Sequence, residues 1–179
     1  MNEGTFIMNK ALLALLMVCV LLPACGYTLS RTSTPTGIYG GANKVVVPMF
    51  INDTFEPLVE KELTAALTNK LAIDGRWILT DRKNADLVVT GRVTQFELVP
   101  LSYDAKERIL EYRVRIKTEV KVTDIKTDKV LWKDPGIETF SEYRVTEDVT
   151  KSKISRQEAI KKASRDFAED FIIKALDIF

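Results

Sequence analysis

The sequence predicts an α+β fold, a two-layer α/β sandwich in which two helices pack on one face of a mixed, largely antiparallel sheet of about four strands. Two segments repeat apolar residues at helical spacing, and four others are β-branched runs or alternate apolar with polar residues. These segments follow the order β-α-β-β-β-α. A chain of 179 residues fits one folded domain, which we expect to span residues 44–179.

The first strand and the first helix are expected between residues 44 and 75. Residues 44–50 predict a strand that is buried on both faces and ends or bulges at Pro48, because proline has no backbone N–H. A helix is expected from about Pro57, whose fixed φ suits the first helical position, to a left-handed cap at Gly75. Its apolar face comprises Val59, Leu63, Ala66, Leu67 and Leu71.

Two longer strands are expected after a brief extended piece at residues 77–80. Residues 86–98 predict the first, in which the alternation slips near Gly91 and indicates a bulge or a close backbone approach. A polar loop over residues 100–108 leads to the second, where a period of two indicates one buried and one wet face. The apolar residues of this second strand are Leu110, Tyr112, Val114, Ile116, Val120 and Val122.

A hairpin turn is expected at residues 126–129, where Asp128 tolerates a left-handed conformation. Residues 130–143 predict the returning strand, interrupted at residues 134–136, which read Asp-Pro-Gly. Both tryptophans of the chain, Trp77 and Trp132, are expected to pack in the core or at the rim of the sheet.

The last element is predicted to be a helix. Ser155 and Glu158 have the capping-box pattern, in which a serine is followed three residues later by a glutamate. The helix is expected to run nearly to Phe179. Its apolar side comprises Ile160, Ala163, Phe167, Phe171, Ala175 and Leu176.

The composition argues against nucleic-acid binding and against catalysis. Lys and Arg number 26 and Asp and Glu 25, so the formal net charge of +1 gives no general attraction to nucleic acid. The chain has no histidine, which removes the most frequent general base and the most frequent metal ligand. Ser102 and Ser141 lie in no hydrolase motif. We therefore expect no enzyme activity and no metal site, and a lipid-anchored hydrolase is the disfavoured alternative.

The N-terminus predicts an export signal. Lys10 precedes the apolar residues 11–22, which are too few to span a bilayer comfortably, and Met8 is an alternative start. The next residues, Leu22-Pro23-Ala24-Cys25, resemble the lipobox of bacterial lipoproteins. The resemblance implies that residues 1–24 are a signal peptide, that cleavage follows Ala24, and that Cys25 receives a diacylglycerol on sulfur and an acyl chain, such as palmitate, on its amine. The alternatives are an ordinary signal peptide and a buried helix.

The residues after the predicted cleavage site indicate a sorting signal and a flexible tether. Gly26, rather than an aspartate, follows Cys25, and this implies sorting to the outer membrane. Residues 25–43 are expected to form the lipidated cysteine and a flexible tether, because residues 28–43 are rich in Ser, Thr, Gly and Pro. Cys19 lies within the signal peptide, so the mature chain would have no internal disulfide.

Short motifs along the mature chain occur in an order typical of one family. They are Cys25-Gly26-Tyr27, Val45-Val46-Val47-Pro48, Asn52-Asp53-Thr54-Phe55-Glu56-Pro57, Asp86-Leu87-Val88-Val89-Thr90-Gly91, Leu101-Ser102-Tyr103, Glu111-Tyr112 and Val130-Leu131-Trp132. As an ordered set they resemble the LptE family of lipopolysaccharide-assembly lipoproteins, although the chain lacks the polar C-terminal tail of some relatives. The resemblance implies a periplasmic domain that lies in the lumen of the LptD β-barrel, supports its assembly and assists the insertion of lipopolysaccharide into the outer leaflet. It implies no catalysis and no cofactor.

Two groups of side chains are candidates for contact with lipopolysaccharide or the barrel. The loop at residues 100–108 carries Tyr103, Lys106 and Arg108, which we expect at a recognition tip, with a plain connector as the alternative. The second group is a cationic row on the wet face of the following strand, which can hold phosphate oxygens or face the polar wall of a barrel. A solvated face with cross-strand ion pairs is the alternative that the sequence favours. The row comprises Arg113, Arg115, Lys117 and Lys121.

The alternative function is that of a pilotin-like or scaffold lipoprotein that stabilises another outer-membrane channel. Its sequence features are the same, and co-purification distinguishes the two: LptD for the first, a secretin or another channel for the second. An open edge of the sheet would also permit the isolated domain to associate with itself.

Overall fold

The computed structural model of the chain describes residues 41–176. Its elements, in chain order, are β1 (Lys44–Val46), β2 (Ile51–Asn52), α1 (Val59–Asp74), β3 (Ile78–Leu79), β4 (Leu87–Tyr103), β5 (Ile109–Asp124), β6 (Val130–Arg144) and α2 (Val149–Leu176). The predicted signal peptide, the lipidation at Cys25, most of the predicted tether and Phe179 lie outside the described residues.

The sheet of this domain has six strands rather than about four. Its order is β3-β1-β4-β5-β6, and β2 also pairs with β4. The pairs made by β1, β2 and β3 are parallel, whereas β4, β5 and β6 form an antiparallel meander. The predicted α+β sandwich with a mixed, largely antiparallel sheet is confirmed. Strand β3 lies within the brief extended piece predicted at residues 77–80, whereas β2 contains only two residues and is too short to give a periodic pattern in the sequence.

The single strand predicted over residues 44–50 is wrong, because β1 ends at Val46 and β2 starts at Ile51. Between them, Pro48 has no N–H to donate to a neighbouring strand. The Phe50 N–H turns to the helix layer and donates to Oγ1 of the buried Thr64 at 3.1 Å. The chain therefore leaves the sheet and returns to it.

Both neighbours of β5 bulge at the level of Thr118. In β4 the register shifts between Val93 and Gln95. In β6 two residues, Pro135 and Gly136, lie opposite the single residue of β5 between Thr118 and Val120, so β6 has one extra residue there. The predicted interruption at residues 134–136 is therefore a bulge within one continuous strand, and it bends the sheet there.

Gly91 does not mark a bulge, because the register shifts of β4 lie at Thr94 and between Pro100 and Tyr103. Its significance is a close approach: an added Cβ would lie 2.6 Å or less from three atoms of the Phe50 ring. The loop expected over residues 100–108 is also shorter than predicted, since β4 continues to Tyr103. The observed connection is a tight turn over residues 104–108, with Glu107 at a φ of 61°.

The first helix starts two residues later than predicted. Leu58 precedes it with a φ of 67°, and its carbonyl accepts hydrogen bonds from the N–H groups of Lys61 and Glu62. Pro57 therefore lies outside α1. The predicted left-handed cap is confirmed, because Gly75 has a φ of 73° and donates its N–H to the Leu71 carbonyl.

The second helix starts six residues before the predicted capping box, so Ser155 lies inside α2. Its N-cap is Asp148, whose Oδ1 accepts the N–H groups of Thr150 at 2.9 Å and Lys151 at 3.1 Å. The prediction failed because Asp148 also satisfies the capping rule and allows a longer helix.

The core lies between the sheet and the two helices, on one face of the sheet only. Phe167 and Phe171 of α2 are fully buried, and the Trp77 and Trp132 rings pack edge-on against Phe171 with centroids at 6.2 and 5.5 Å. Helix α1 contributes Val59, Leu63, Leu67 and Leu71. The predicted apolar faces of both helices are thus confirmed. Neither of the helices described is long and apolar enough to cross a membrane.

Candidate functional site

The side of the sheet away from the helices carries most of the candidate residues. Along β5, buried residues from Val114 to Val122 alternate with side chains that point to this side, as the period of two predicts. The cross-strand register places residues of β4 and β6 beside them. We call this the charged sheet face; it comprises Arg92, Glu97, Arg113, Arg115, Lys117, Glu119, Lys121, Lys133, Glu138, Phe140 and Glu142.

The two arginines of the cationic row form ion pairs across the strands. Arg113 Nη2 lies 2.6 Å from Glu142 Oε1 of β6. Arg115 bridges both neighbours, with Nε 3.1 Å from Glu138 Oε1 and Nη1 3.6 Å from Glu97 Oε2. Exposed pairs of this kind contribute about 0–1 kcal/mol each. Both guanidinium groups nevertheless have carboxylate partners within the domain.

Lys117 has no ion pair with any carboxylate among residues 41–176. Its side chain crosses the β6 bulge at Gly136, where an added Cβ would lie 3.2 Å from Cγ of the lysine and closer still to Cε. The missing side chain of Gly136 therefore allows the aliphatic stem of Lys117 to lie flat on β6. Its ammonium remains available on the charged sheet face.

Lys121 is likewise without an ion-pair partner in the described part of the chain. It lines a cavity of about 200 Å³ together with Ile51, Arg92 and Glu119. Arg92 is bound to Asp53 at 2.7 Å, and Glu119 to Lys133 at 2.9 Å. The hydrogen bond from Lys133 lowers the pKa of Glu119, which therefore stays ionised beside Lys121. Lys117 and Lys121 are four residues apart on β5, or about 13 Å.

The turn between β4 and β5 is organised by Asp104. Its Oδ1 accepts the N–H groups of Lys106 at 2.8 Å and Arg108 at 2.9 Å, and its Oδ2 accepts Arg108 Nε at 2.7 Å. The Arg108 contacts lower the pKa of Asp104, with the backbone hydrogen bond first among them. The side chains of Tyr103, Lys106 and Arg108 are all exposed, but that of Arg108 is bound to Asp104 within the turn.

The turn is separate from the cationic row. Tyr103 pairs with Ile109, and Arg113 lies four residues further along β5, at a distance of about 13 Å. The structure therefore brings the candidate residues to one hairpin but not to one site. Glu97, Glu138 and Glu142 were not candidates, because their positions beside the cationic row depend on the bulges in β4 and β6.

Phe140 is a further residue of the charged sheet face that sequence reasoning missed. It is exposed, and the Arg113 guanidinium lies 5.2 Å from its ring centroid. A strict alternation from the Lys126–Lys129 turn would place this ring in the core. The single-residue shift at the bulge moves it outward.

The motif at residues 52–57, one of those on which the family resemblance rests, is held together by hydrogen bonds of the Asn52 side chain. Asn52 Nδ2 donates to the Glu56 carbonyl at 2.7 Å and to Glu60 Oε2 at 2.8 Å, and its Oδ1 accepts Thr54 N–H at 2.9 Å and Oγ1 at 2.7 Å. Glu56 forms an ion pair with Arg156 of α2. The loop holds Phe55 fully exposed next to β4.

No group of three or more Cys, Asp or Glu side chains among the described residues is placed to hold a metal ion. Ser141 is buried in β6 and Ser102 lies near the end of β4, and neither makes a side-chain hydrogen bond within residues 41–176.

Comparisons with known proteins connect this fold to one family. A family model described as "LptE: Lipopolysaccharide-assembly" matches residues 42–175, which is nearly the whole described domain. A search of curated proteins found no match.

Solved structures share the fold at low sequence identity. Rare lipoprotein B from Shewanella oneidensis aligns with a TM-score of 0.50 and 16% identity, over 75% of this chain and 94% of that chain. A protein from Xanthomonas campestris aligns with a TM-score of 0.53 and 10% identity, over 76% of this chain and 87% of that chain. These likenesses establish the architecture, and the family model establishes the membership: the chain belongs to the LptE family of lipopolysaccharide-assembly proteins.

Proposed function

We propose that the chain is a non-enzymatic outer-membrane lipoprotein that binds an LptD-type β-barrel, supports the assembly of that barrel and assists the insertion of lipopolysaccharide into the outer leaflet. The observation that carries the proposal is the family match over residues 42–175. The absence of histidine from the sequence and the lack of a metal cluster in the described domain are consistent with a role in binding.

A pull-down from native membranes tests this function. The full-length lipidated chain is extracted in detergent, and its partners are identified by mass spectrometry. We expect a stoichiometric large β-barrel of the LptD type. Recovery of a secretin or another channel without LptD would contradict the proposal and support the pilotin-like alternative.

The anchor of this proposed lipoprotein is Cys25, the position at which the lipobox ends. Lipidation there, with a Gly at the next position, would hold the domain at the periplasmic side of the outer membrane. Growth with labelled palmitate is expected to label the wild-type chain and not a Cys25→Ser variant. Equal labelling of the two chains would place the acyl groups elsewhere or show that Cys25 is not the anchor.

For lipopolysaccharide itself, we propose that the phosphates contact the charged sheet face at Lys117 and Lys121. These ammonium groups lack carboxylate partners in the described domain, whereas Arg113 and Arg115 already have them. A Lys117→Glu/Lys121→Glu variant should bind lipopolysaccharide about tenfold more weakly, with a smaller dependence on salt. A Lys151→Glu/Lys153→Glu variant makes the same charge change on α2 and should bind as the wild type does. Equal affinity of both variants would refute the assignment.

The β4–β5 turn is proposed as a second contact, with lipid A or with the barrel, through Tyr103 and Lys106. Both side chains are exposed, Tyr103 at the end of β4 and Lys106 within the tight Asp104 turn. Arg108 is a weaker candidate, because its guanidinium is bound to Asp104. A Tyr103→Ala/Lys106→Glu variant is expected to lose affinity for lipopolysaccharide or to recover less LptD. If neither changes, the turn is only a connector.

A further inference from the structure

The last strand of the sheet has an open edge. Val145 N–H donates to the Leu110 carbonyl at 2.9 Å. With the register of β5 and β6, this bond determines which residues of β6 direct their N–H and C=O groups toward β5 and which direct them away. Tyr143 and Ser141 are then hydrogen-bonded to β5, and the N–H and C=O groups of Phe140, Glu142 and Arg144 point away from it. No other element of residues 41–176 supplies a hydrogen bond to these outward groups.

A groove of about 560 Å³ runs along this edge, between β6 and one side of α2. On α2 its lining residues recur at helical spacing, so they form one continuous wall. Six charged residues line it: Glu142, Arg144, Glu158, Lys161, Lys162 and Arg165.

The groove has an excess of positive charge. Glu142 is bound to Arg113 at 2.6 Å, and Lys162 is bound to Asp166 at 2.9 Å, so neither is an uncompensated charge. Among the described residues no carboxylate forms an ion pair with the remaining cations, and Glu158 is the single acidic side chain left in the lining. Those cations are Arg144, Lys161 and Arg165.

We propose that this β6–α2 groove binds an acidic, extended segment of a partner protein, which adds to the sheet as a strand beside β6. The outward N–H and C=O groups of Phe140, Glu142 and Arg144 would supply the main-chain hydrogen bonds of strand addition. The cations would select carboxylate side chains, because charge complementarity determines which partner binds. This surface lies at the sheet edge under α2 and is distinct from Lys117, Lys121 and the β4–β5 turn, so it can be tested independently of the proposed function.

The charge requirement is tested with a short fluorescent peptide of alternating Glu and Val, measured by anisotropy against the full-length chain in detergent. We expect salt-sensitive binding, and no comparable binding of the same peptide with Lys in place of Glu. A Lys161→Glu/Arg165→Glu variant should bind the acidic peptide at least about tenfold more weakly. The Lys151→Glu/Lys153→Glu variant, with equal charge change on the same helix outside the groove, should bind normally.

The strand requirement is tested by comparing Glu142→Pro with Glu142→Ala. Both remove the same carboxylate, but only proline removes the outward N–H, which the β5–β6 ladder does not use. We expect the alanine variant to bind at least as tightly as the wild type and the proline variant to bind about tenfold more weakly.

Several outcomes would overturn the proposal. They are no binding of the acidic peptide, equal binding of the Lys peptide, and equal affinity of the Glu142→Pro and Glu142→Ala variants. Vesicles of anionic phospholipid provide the remaining comparison. If these vesicles bind the wild type but not the Lys161→Glu/Arg165→Glu variant, while the peptide does not bind, the groove recognises lipid headgroups instead.

Discussion

Gly91 lies beneath the buried ring of Phe50, and replacing it with alanine tests how tightly the core is packed. The added Cβ would lie 2.6 Å or less from three ring atoms, whereas carbon atoms in contact are about 3.5–4.0 Å apart. The ring must therefore move by about 1 Å. It packs edge-on against Phe167 with centroids at 5.9 Å, and the Phe50 N–H is held by Thr64. Overpacking of this kind costs about 2 kcal/mol.

That cost converts to a fall in melting temperature of about 4–8 °C for a domain of this size. Thermal unfolding measured by circular dichroism is the assay, and Gly136→Ala is the matched control. At Gly136 the added Cβ meets the flexible side chain of Lys117, which can move at little cost. The effect of a Gly-to-Ala change on the unfolded chain is similar in both variants, so their difference isolates the clash with Phe50.

A double-mutant cycle identifies the clash. Phe50→Leu removes ring atoms, so Gly91→Ala should cost less in that background than in the wild type, with a coupling of about 1 kcal/mol. Equal melting temperatures for Gly91→Ala and Gly136→Ala, or strictly additive effects in the cycle, would refute the argument.

Three further changes have expected outcomes. Asn52→Ala removes the side chain that accepts from Thr54 and donates to Glu56 and Glu60, and should lower the free energy of unfolding in urea by about 2 kcal/mol; a loss near zero would mean that the loop does not depend on these bonds. Thr118→Val replaces a buried hydroxyl that has no hydrogen-bond partner in the described structure, and should raise the free energy of unfolding by about 1 kcal/mol; destabilisation would contradict this. For Asp74, the hydrogen bond from Arg76 lowers the pKa of the carboxyl, so the stability it contributes is present above the unfolded pKa of about 3.9 and is lost as the pH falls through the folded pKa. Asp74→Asn should therefore reduce the melting temperature at pH 7 and have no effect at strongly acidic pH, and an equal reduction at both would argue against ionic stabilisation.

The elements with strong local signals were predictable. The alternation of β5 gives its buried and wet faces because side chains of a strand point to opposite sides in turn. The spacing of Val59, Leu63, Leu67 and Leu71 gives the buried face of α1, and Gly75 gives its end because glycine adopts a positive φ without strain. The family resemblance rested on short motifs, and the family match over residues 42–175 confirms it.

Features that depend on cross-strand register were not predictable. One extra residue at Pro135 and Gly136 moves Phe140 out of the core and places Glu138 and Glu142 opposite Lys117 and Arg113. The shift reverses the face that each later residue of β6 occupies. A local sequence pattern does not show where such a shift occurs.

Alternative local signals also compete. Asp148 and Ser155 both satisfy the capping rule, and the longer helix gains the backbone hydrogen bonds of six more residues, most of whose side chains are exposed. The α2 residues that line the β6–α2 groove all lie within the predicted helix, but their position beside the edge strand depends on how that helix packs, so the sequence alone could not place Lys161 and Arg165 next to Arg144.

Depletion of this chain in its native bacterium tests the central claim most directly, with lipopolysaccharide on the cell surface as the measured quantity. If the chain supports an LptD-type barrel, lipopolysaccharide should disappear from the outer leaflet and accumulate inside the cell as the protein is lost, and expression of the wild-type chain should restore it. Unchanged lipopolysaccharide at the surface after complete depletion would contradict a role in its assembly.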